Sequence, residues 1–403
     1  MNRAILFITK DNINPLSGGI DRITYVLATE LRRNGCACFS AYLSQSHPLR
    51  IGDAVFDQET ELAEDKHDEE VVNLIELHKI DVIIVQGVDA LMNKELISLR
   101  KVLNTQTREI PLLFVFHQMP GYELVSIDNK FLIDHLFSGL SVKEILLQIL
   151  LRISKKNVLK SLRNKYIVPY QNADRVILLS RLYIDDFCKI VGNSDTSKYL
   201  AIPNMLTFPH SDVIPSKKER IVLMVARMDE QAKRIKRAIE IWSKLPMEFG
   251  KDEWRMVIVG NGKDLTYYKN FVKSRDIKNV SFEGQQDPLP YYQAASIFMM
   301  TSAFEGWPMT LMEAMQNGCV PIVFDSFKAV YDIIENGKDG IIVPDGNKDA
   351  YLNNLVQLMQ NAEQRKLMSE ACVERSQQFS QERITKMWLK LFENVCKLVA
   401  NVS

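Results

Sequence analysis

Twice along its length the chain runs through short apolar stretches, each followed by a helical pattern, and an unpatterned segment, Met205–Glu219, separates the two runs. The first run reads as strands at Ala4–Thr9, Cys36–Tyr42, Val82–Gln86, Leu112–Phe116, Val176–Leu179 and Tyr199–Ile202, with helices at Ile20–Asn34 and Val71–His78. The second reads as strands at Ile221–Val225, Arg255–Val259, Val280–Phe282, Ile297–Met300, Val320–Phe324 and Ile341–Val343, with helices from Ile235, at Pro290–Ala295 and at Pro308–Asn317. Strands that are apolar throughout, rather than alternating, are buried on both faces, which predicts parallel sheets covered by helices.

Two such series imply two Rossmann-like, doubly wound α/β domains. Their expected extents are 1–204 and 220–381, joined by a linker at 205–219 that carries Pro209 and Pro215. A last helix, 382–403, is long enough to return to the first domain. A length of 403 residues suits two domains of this size. Ligands of doubly wound sheets bind beyond the carboxyl ends of the strands, so the function is expected in a central cleft that the two domains face.

Charge excludes little beyond nucleic acid. Fifty basic residues balance fifty acidic ones, which argues against a nucleic-acid binder. The six cysteines form no CxxC pair and no zinc spacing, and a scattered reduced set fits the cytoplasm. Signal-peptide and transmembrane patterns are not expected.

The densest chemistry lies in Phe304-Glu305-Gly306-Trp307-Pro308-Met309-Thr310-Leu311-Met312-Glu313-Ala314-Met315. Pro308 suits the first position of a helix, where its missing N–H costs nothing. The free N–H groups of Met309 and Thr310 would then face a phosphate at the positive end of the helix dipole. Glu313, one to two turns further on, is placed to accept hydrogen bonds from the vicinal hydroxyls of a ribose. In Val225-Ala226-Arg227-Met228-Asp229-Glu230-Gln231-Ala232-Lys233, the two cations Arg227 and Lys233 can approach one point and stabilise a leaving diphosphate. Neighbouring Arg234, Lys236 and Arg237 read as solvated charges on a helix face. Gly18 and Gly19 follow the first strand at a helix N-terminus, a spot open to a sugar or phosphate and equally consistent with a tight turn. His117 ends an apolar strand on the expected cleft side.

Glu305 and Glu313, eight residues apart within Phe-Glu-Gly-x-Pro-x-x-x-x-Glu-Ala-Met and followed by Gly318-Cys319-Val320-Pro321, resemble the signature of family 4 of the retaining GT-B glycosyltransferases, also called glycosyl transferases group 1. The resemblance runs over almost the whole chain. It implies that Glu305 contacts the donor sugar, Glu313 the nucleotide ribose, and Arg227 and Lys233 the diphosphate. His117 would lie near the reacting centre, Gly284 at the border of the base, and Gly306 within the donor loop. Ile202-Pro203-Asn204 and Ser180 match softer family positions. Phe327–Ile334 departs from the usual Gly-Pro-x-Glu-Ile-Ile run, so no contact is carried over there. Gly260-Asn261-Gly262 lacks the third glycine of a dinucleotide fingerprint and reads as a turn near the nucleotide.

The expected activity is transfer of a hexose or N-acetylhexosamine, from a UDP-sugar more than from a GDP-sugar, to a glycan or lipid-linked acceptor in surface polysaccharide or lipopolysaccharide assembly. No Asp-x-Asp triplet occurs, so neither metal nor cofactor is expected. In the family, retention is attributed to attack on the face the diphosphate leaves, with a phosphate oxygen taking the acceptor's proton. A nucleotide-sugar epimerase on the same fold is one alternative; a non-catalytic partner subunit is another. The basic amphipathic segment Glu144–Tyr166 reads either as a helix with a solvated basic face or as a peripheral contact with the inner membrane surface.

Overall fold

A computed structural model describes residues 3–47, 55–87, 90–125, 155–208, 218–246 and 254–400. The chain divides into two compact units, Met1–Thr207 with Gln381–Ser403, and Phe208–Ser380. Most of the expected linker, 209–217, and the first half of the basic segment, 144–154, lie outside the described residues.

The first unit is built on β1 (Ala4–Asp11), β2 (Ala37–Ser44), β3 (Gln58–Glu61), β4 (Val82–Gly87), β5 (Leu112–Phe116), β6 (Arg175–Leu178) and β7 (Tyr199–Ala201). They form one sheet in the order β3-β2-β1-β4-β5-β6-β7, parallel at each pairing. The central strands are shielded on both faces: Ile5–Ile8 and Val82–Val85 are all fully buried, which is why they carry no polar alternation. The helix Gln381–Ala400 belongs to this unit and buries Ile384, Trp388, Leu391, Phe392 and Val395 along one face. It packs on the helix Gly19–Arg33.

The second unit holds β8 (Glu219–Val225), β9 (Arg255–Val259), β10 (Val280–Gly284), β11 (Ala295–Met300), β12 (Val320–Asp325) and β13 (Ile341–Pro344), in the order β10-β9-β8-β11-β12-β13 and again parallel. Both sheets therefore share the doubly wound plan.

Three expectations need correction. β3 was not anticipated, because Gln-Glu-Thr-Glu has no apolar signal; it pairs through its backbone with β2 at the sheet edge, where solvent tolerates polar side chains on both faces. Pro308 is the cap, not the first residue, of the helix Met309–Gln316: its ψ of 104° is extended. Arg234, Lys236 and Arg237 are not solvated. Arg237 is buried, its guanidinium on Asp345 at 2.8 Å, on the Thr301 carbonyl at 2.8 Å and 4.1 Å from the Phe324 ring centroid. Arg234 is buried at a left-handed φ of 48°, and the Lys236 ammonium lies over the Phe271 ring. The short helix Glu230–Lys233 ends in a kink at Arg234, which turns all three side chains inward instead of along one solvent face.

Candidate functional site

In the second unit the carboxyl end of β8 opens into the loop Ala226–Asp229, and the turn after β9 locks it in place. Ala226 N–H donates to the Val259 carbonyl at 3.0 Å, Met228 N–H to Asn261 at 2.9 Å, and Asp264 N–H to Met228 at 3.1 Å. Such close approach explains both glycines of the turn. A Cβ on Gly260 would lie 2.0 Å from the Ala226 carbonyl oxygen, and one on Gly262 would lie 2.6 Å from that of Met228. Gly284, at φ 73°, closes the same corner, its carbonyl accepting from Gly260 N–H at 2.7 Å.

Arg227 lies two residues past β8. Its side chain is 70% exposed and reaches Asp229 at 3.4 Å, while Lys263 approaches the same carboxylate at 3.7 Å. Asp229 also caps the helix Glu230–Lys233 by accepting from Gln231 N–H at 3.2 Å. Behind it, burial pushes the Glu230 carboxyl up to about 7, although Tyr268 OH at 2.9 Å and Lys236 N–H at 3.0 Å both donate to it.

Lys233, the last residue of that short helix, is 23% exposed and is drawn across to Glu305: Nζ lies 2.6 Å from Oε1. Ser302 Oγ donates to the same oxygen at 2.7 Å. The backbone is stitched alongside, with Thr301 Oγ1 donating to the Lys233 and Arg234 carbonyls and Ala303 N–H to the Ala232 carbonyl at 2.8 Å. Two groups named separately from the sequence thus form one ion pair at the carboxyl ends of β8 and β11.

Gly306 is buried, and the helix Met309–Gln316 follows. Leu311 and Met312 N–H reach back to the Pro308 carbonyl. Those of Met309 and Thr310 have no intrahelical acceptor, as the first turn of any helix requires. Glu313 faces inward, 1% exposed, and accepts from Tyr292 OH at 3.0 Å.

In the first unit His117 follows β5 directly and is buried. Its Nε2 meets Gln86 Oε1 at the end of β4. Desolvation lowers its pKa to about 4, so the ring is neutral at pH 7; with the Gln86 oxygen accepting, Nε2 carries the hydrogen and Nδ1 the lone pair. Asn204 and Pro203 line the same small pocket, whereas Ser180 caps the turn Arg181–Tyr183 by accepting from Leu182 N–H at 3.0 Å. Gly18 has an extended φ of −170°, and a Cβ on Gly18 or Gly19 would meet nothing within 4 Å. A tight turn does not demand these glycines; they leave the helix N-terminus bare. Asp21 in that first turn accepts from Ser17 Oγ, and its carboxylate suits the site to hydroxyls better than to a phosphate.

Sequence reasoning missed Ser302, Tyr292, Asp229 and Lys263. Asp229 had a readable signal, an aspartate just before a helix. Tyr292 and Lys263 act through contacts distant in the chain, and Ser302, although only three residues from Glu305, stands outside the motif and carries no signal of its own.

Residues 210–375 match the family model described as Glycosyl transferases group 1, so a domain of that family fills most of the second unit. The two parallel-sheet units together make the GT-B fold. Solved structures agree with that over nearly the whole chain: the UDP complex of Anabaena Alr3699/HepE (TM-score 0.71, 15% identity, 98% of this chain and 100% of that one) and the apo form of the lipopolysaccharide outer core galactosyltransferase WaaB (TM-score 0.66, 16% identity, 98% and 99%). Among curated proteins, the chain is 24% identical to the amylovoran biosynthesis glycosyltransferase AmsD of Erwinia amylovora, over 62% of this chain and 73% of that one. It is 23% identical to the poly(glycerol-phosphate) alpha-glucosyltransferase of Bacillus subtilis, over 58% of this chain but only 35% of that longer protein. Among the described residues no helix is long and apolar enough to cross a membrane.

Proposed function

We propose that the chain is a retaining glycosyltransferase of family 4 that moves a hexose or N-acetylhexosamine from a UDP-sugar to a glycan or lipid-linked acceptor, without a metal, in the assembly of a surface polysaccharide. The observation that carries this reading is the Lys233–Glu305–Ser302 cluster, which sits in the matched domain with the helix Met309–Gln316 just beyond it. A diphosphate arriving there would meet Lys233, the more exposed Arg227 and the first N–H groups of the helix, and each favours the charge that builds as the glycosidic bond breaks. These groups would fill the role that a divalent ion has in other transferases. As Lys233 turns to the phosphate, Glu305 becomes available to the sugar hydroxyls, still oriented by Ser302. Glu313 would hold the ribose. The neutral His117 would offer its Nδ1 to a sugar hydroxyl, and Gly18 and Gly19 would leave room for the sugar. The names of the relatives, which speak of amylovoran, a glycerol-phosphate polymer and a lipopolysaccharide core, support an acceptor of the same broad class.

The division of labour between the glutamates is open to test by calorimetry and steady-state kinetics. Glu313→Ala is expected to weaken UDP binding about tenfold or more, since a charge-assisted hydrogen-bond pair is lost. Glu305→Ala is expected to leave UDP affinity unchanged, or to tighten it because Lys233 is released, while turnover of the intact donor falls about a hundredfold. Equal losses of UDP affinity in both variants would contradict the assignment.

A further inference from the structure

We infer that Tyr292 is a positioning residue for nucleotide recognition: its hydroxyl orients the Glu313 carboxylate, and so sets the preference for a ribose over a deoxyribose. The inference rests on the assignment of Glu313 to the ribose and adds a residue that neither the motif nor the family match names.

Tyr292 lies on the short helix Leu289–Ala294, Glu313 on Met309–Gln316, and both side chains are buried. Tyr292 OH donates to Glu313 Oε2 at 3.0 Å. An ionised carboxylate away from water accepts hydrogen bonds only, and a donor fixed on one oxygen determines which lone pairs of the group can serve an incoming diol. The tyrosine is itself held so that its hydroxyl cannot swing away. Its ring lies edge-on to Phe208, with centroids 6.2 Å apart, and 6.1 Å from Phe298. Its carbonyl accepts from the half-buried Lys218 Nζ at 2.7 Å.

Lys218 ties the two helices together. The same ammonium donates to the carbonyl of Asn317, which ends the glutamate's helix and whose own amide returns to the Glu313 carbonyl at 2.9 Å. One cation thus clamps the backbone of both partners, and the Tyr292–Glu313 hydrogen bond spans a gap of fixed width. A pair with only a space-filling role would need neither the hydroxyl nor the clamp.

The test compares UDP with 2′-deoxy-UDP by calorimetry on the full chain, for wild type, Tyr292→Phe and Glu313→Ala, with thermal denaturation as the check on folding. Phe keeps the ring and its contacts and removes one oxygen. Wild type is expected to prefer UDP about tenfold or more. In Tyr292→Phe that preference should shrink to about threefold or less, mostly through weaker UDP binding, and in Glu313→Ala it should vanish. If Tyr292→Phe weakens both nucleotides alike and keeps the wild-type preference, Tyr292 is only structural and the inference falls while the ribose assignment stands. If wild type and Glu313→Ala bind both nucleotides equally, the ribose assignment itself falls and takes the inference with it. Should Tyr292→Phe not fold, Tyr292→His, which restores a ring donor at that place, is measured the same way, and a preference equal to that of wild type supports the positioning role.

Discussion

Replacing Lys233 with alanine is expected to lower kcat/KM about a hundredfold, because removing one member of an enclosed charge contact costs on the order of 3 kcal/mol. The Lys233 ammonium is largely screened from solvent and bonded to Glu305 at 2.6 Å. Its loss removes the cation facing the diphosphate and strands a carboxylate beside the space the sugar would take. Arg227 is the weaker case. Its side chain stands mostly in water beside Asp229, where screening discounts its charge until a ligand displaces that water. Arg227→Ala should therefore cost at least about tenfold, and Arg227→Lys should restore only part of that, since an ammonium lacks the planar fork that grips a phosphate from two sides. A control belongs on a truly exposed lysine. Lys236, largely covered and set against Phe271 and Glu240, is unsuitable; Lys278→Ala, on an exposed side chain, should change activity less than about threefold. Near wild-type kinetics for Lys233→Ala, measured with saturating acceptor, would show that the diphosphate does not bind there.

The second large effect is on folding. Gly260→Ala puts a methyl group 2.0 Å from the Ala226 carbonyl, at a φ of 134° that side chains rarely adopt. Neither atom belongs to a flexible side chain, so the loop carrying Arg227 must move. A loss of about 3 kcal/mol or more is expected, seen as a fall in Tm of about 6–12 °C. Gly18→Ala is the contrasting case: its backbone is extended and the space around it open, so Tm should stay within about 1–2 °C. Equal shifts for the two variants would mean that the close approach of the β8 and β9 loops is not what Gly260 serves.

Much of this architecture was legible because the central strands of a doubly wound sheet are buried on both sides and must be written in Val, Ile, Leu, Phe and Met. β1, β4, β5 and β9 stand within a few residues of where their apolar runs placed them. β3 was invisible for the same physical reason: an edge strand is held by its backbone, and its side chains carry no message. The site was legible in its residue types and less so in its connections. Glu305 was named for a sugar and Lys233 for a phosphate, but nothing local couples residues 72 positions apart. Nor does a run of Arg and Lys reveal which of its members a kinked helix turns inward, and Arg237, stacked on Phe324 and bonded to Asp345, is the plainest example. The turn at Gly260 and Gly262 was read correctly as a turn, while its cause, a backbone oxygen of another loop, belongs to the tertiary structure alone.

The central claim is transfer with retention from a nucleotide sugar by protein groups alone. Its most direct test is NMR of the protein with UDP-glucose, UDP-galactose and UDP-N-acetylglucosamine in excess EDTA, following free UDP and the anomeric signal of the sugar as it is released to water or acceptor. The account predicts that UDP appears from at least one of these donors and that the sugar emerges first as the α-anomer it was in the donor. A β-anomer formed first, UDP release only after magnesium or manganese is restored, or a donor whose sugar is epimerised while the diphosphate stays attached would contradict it.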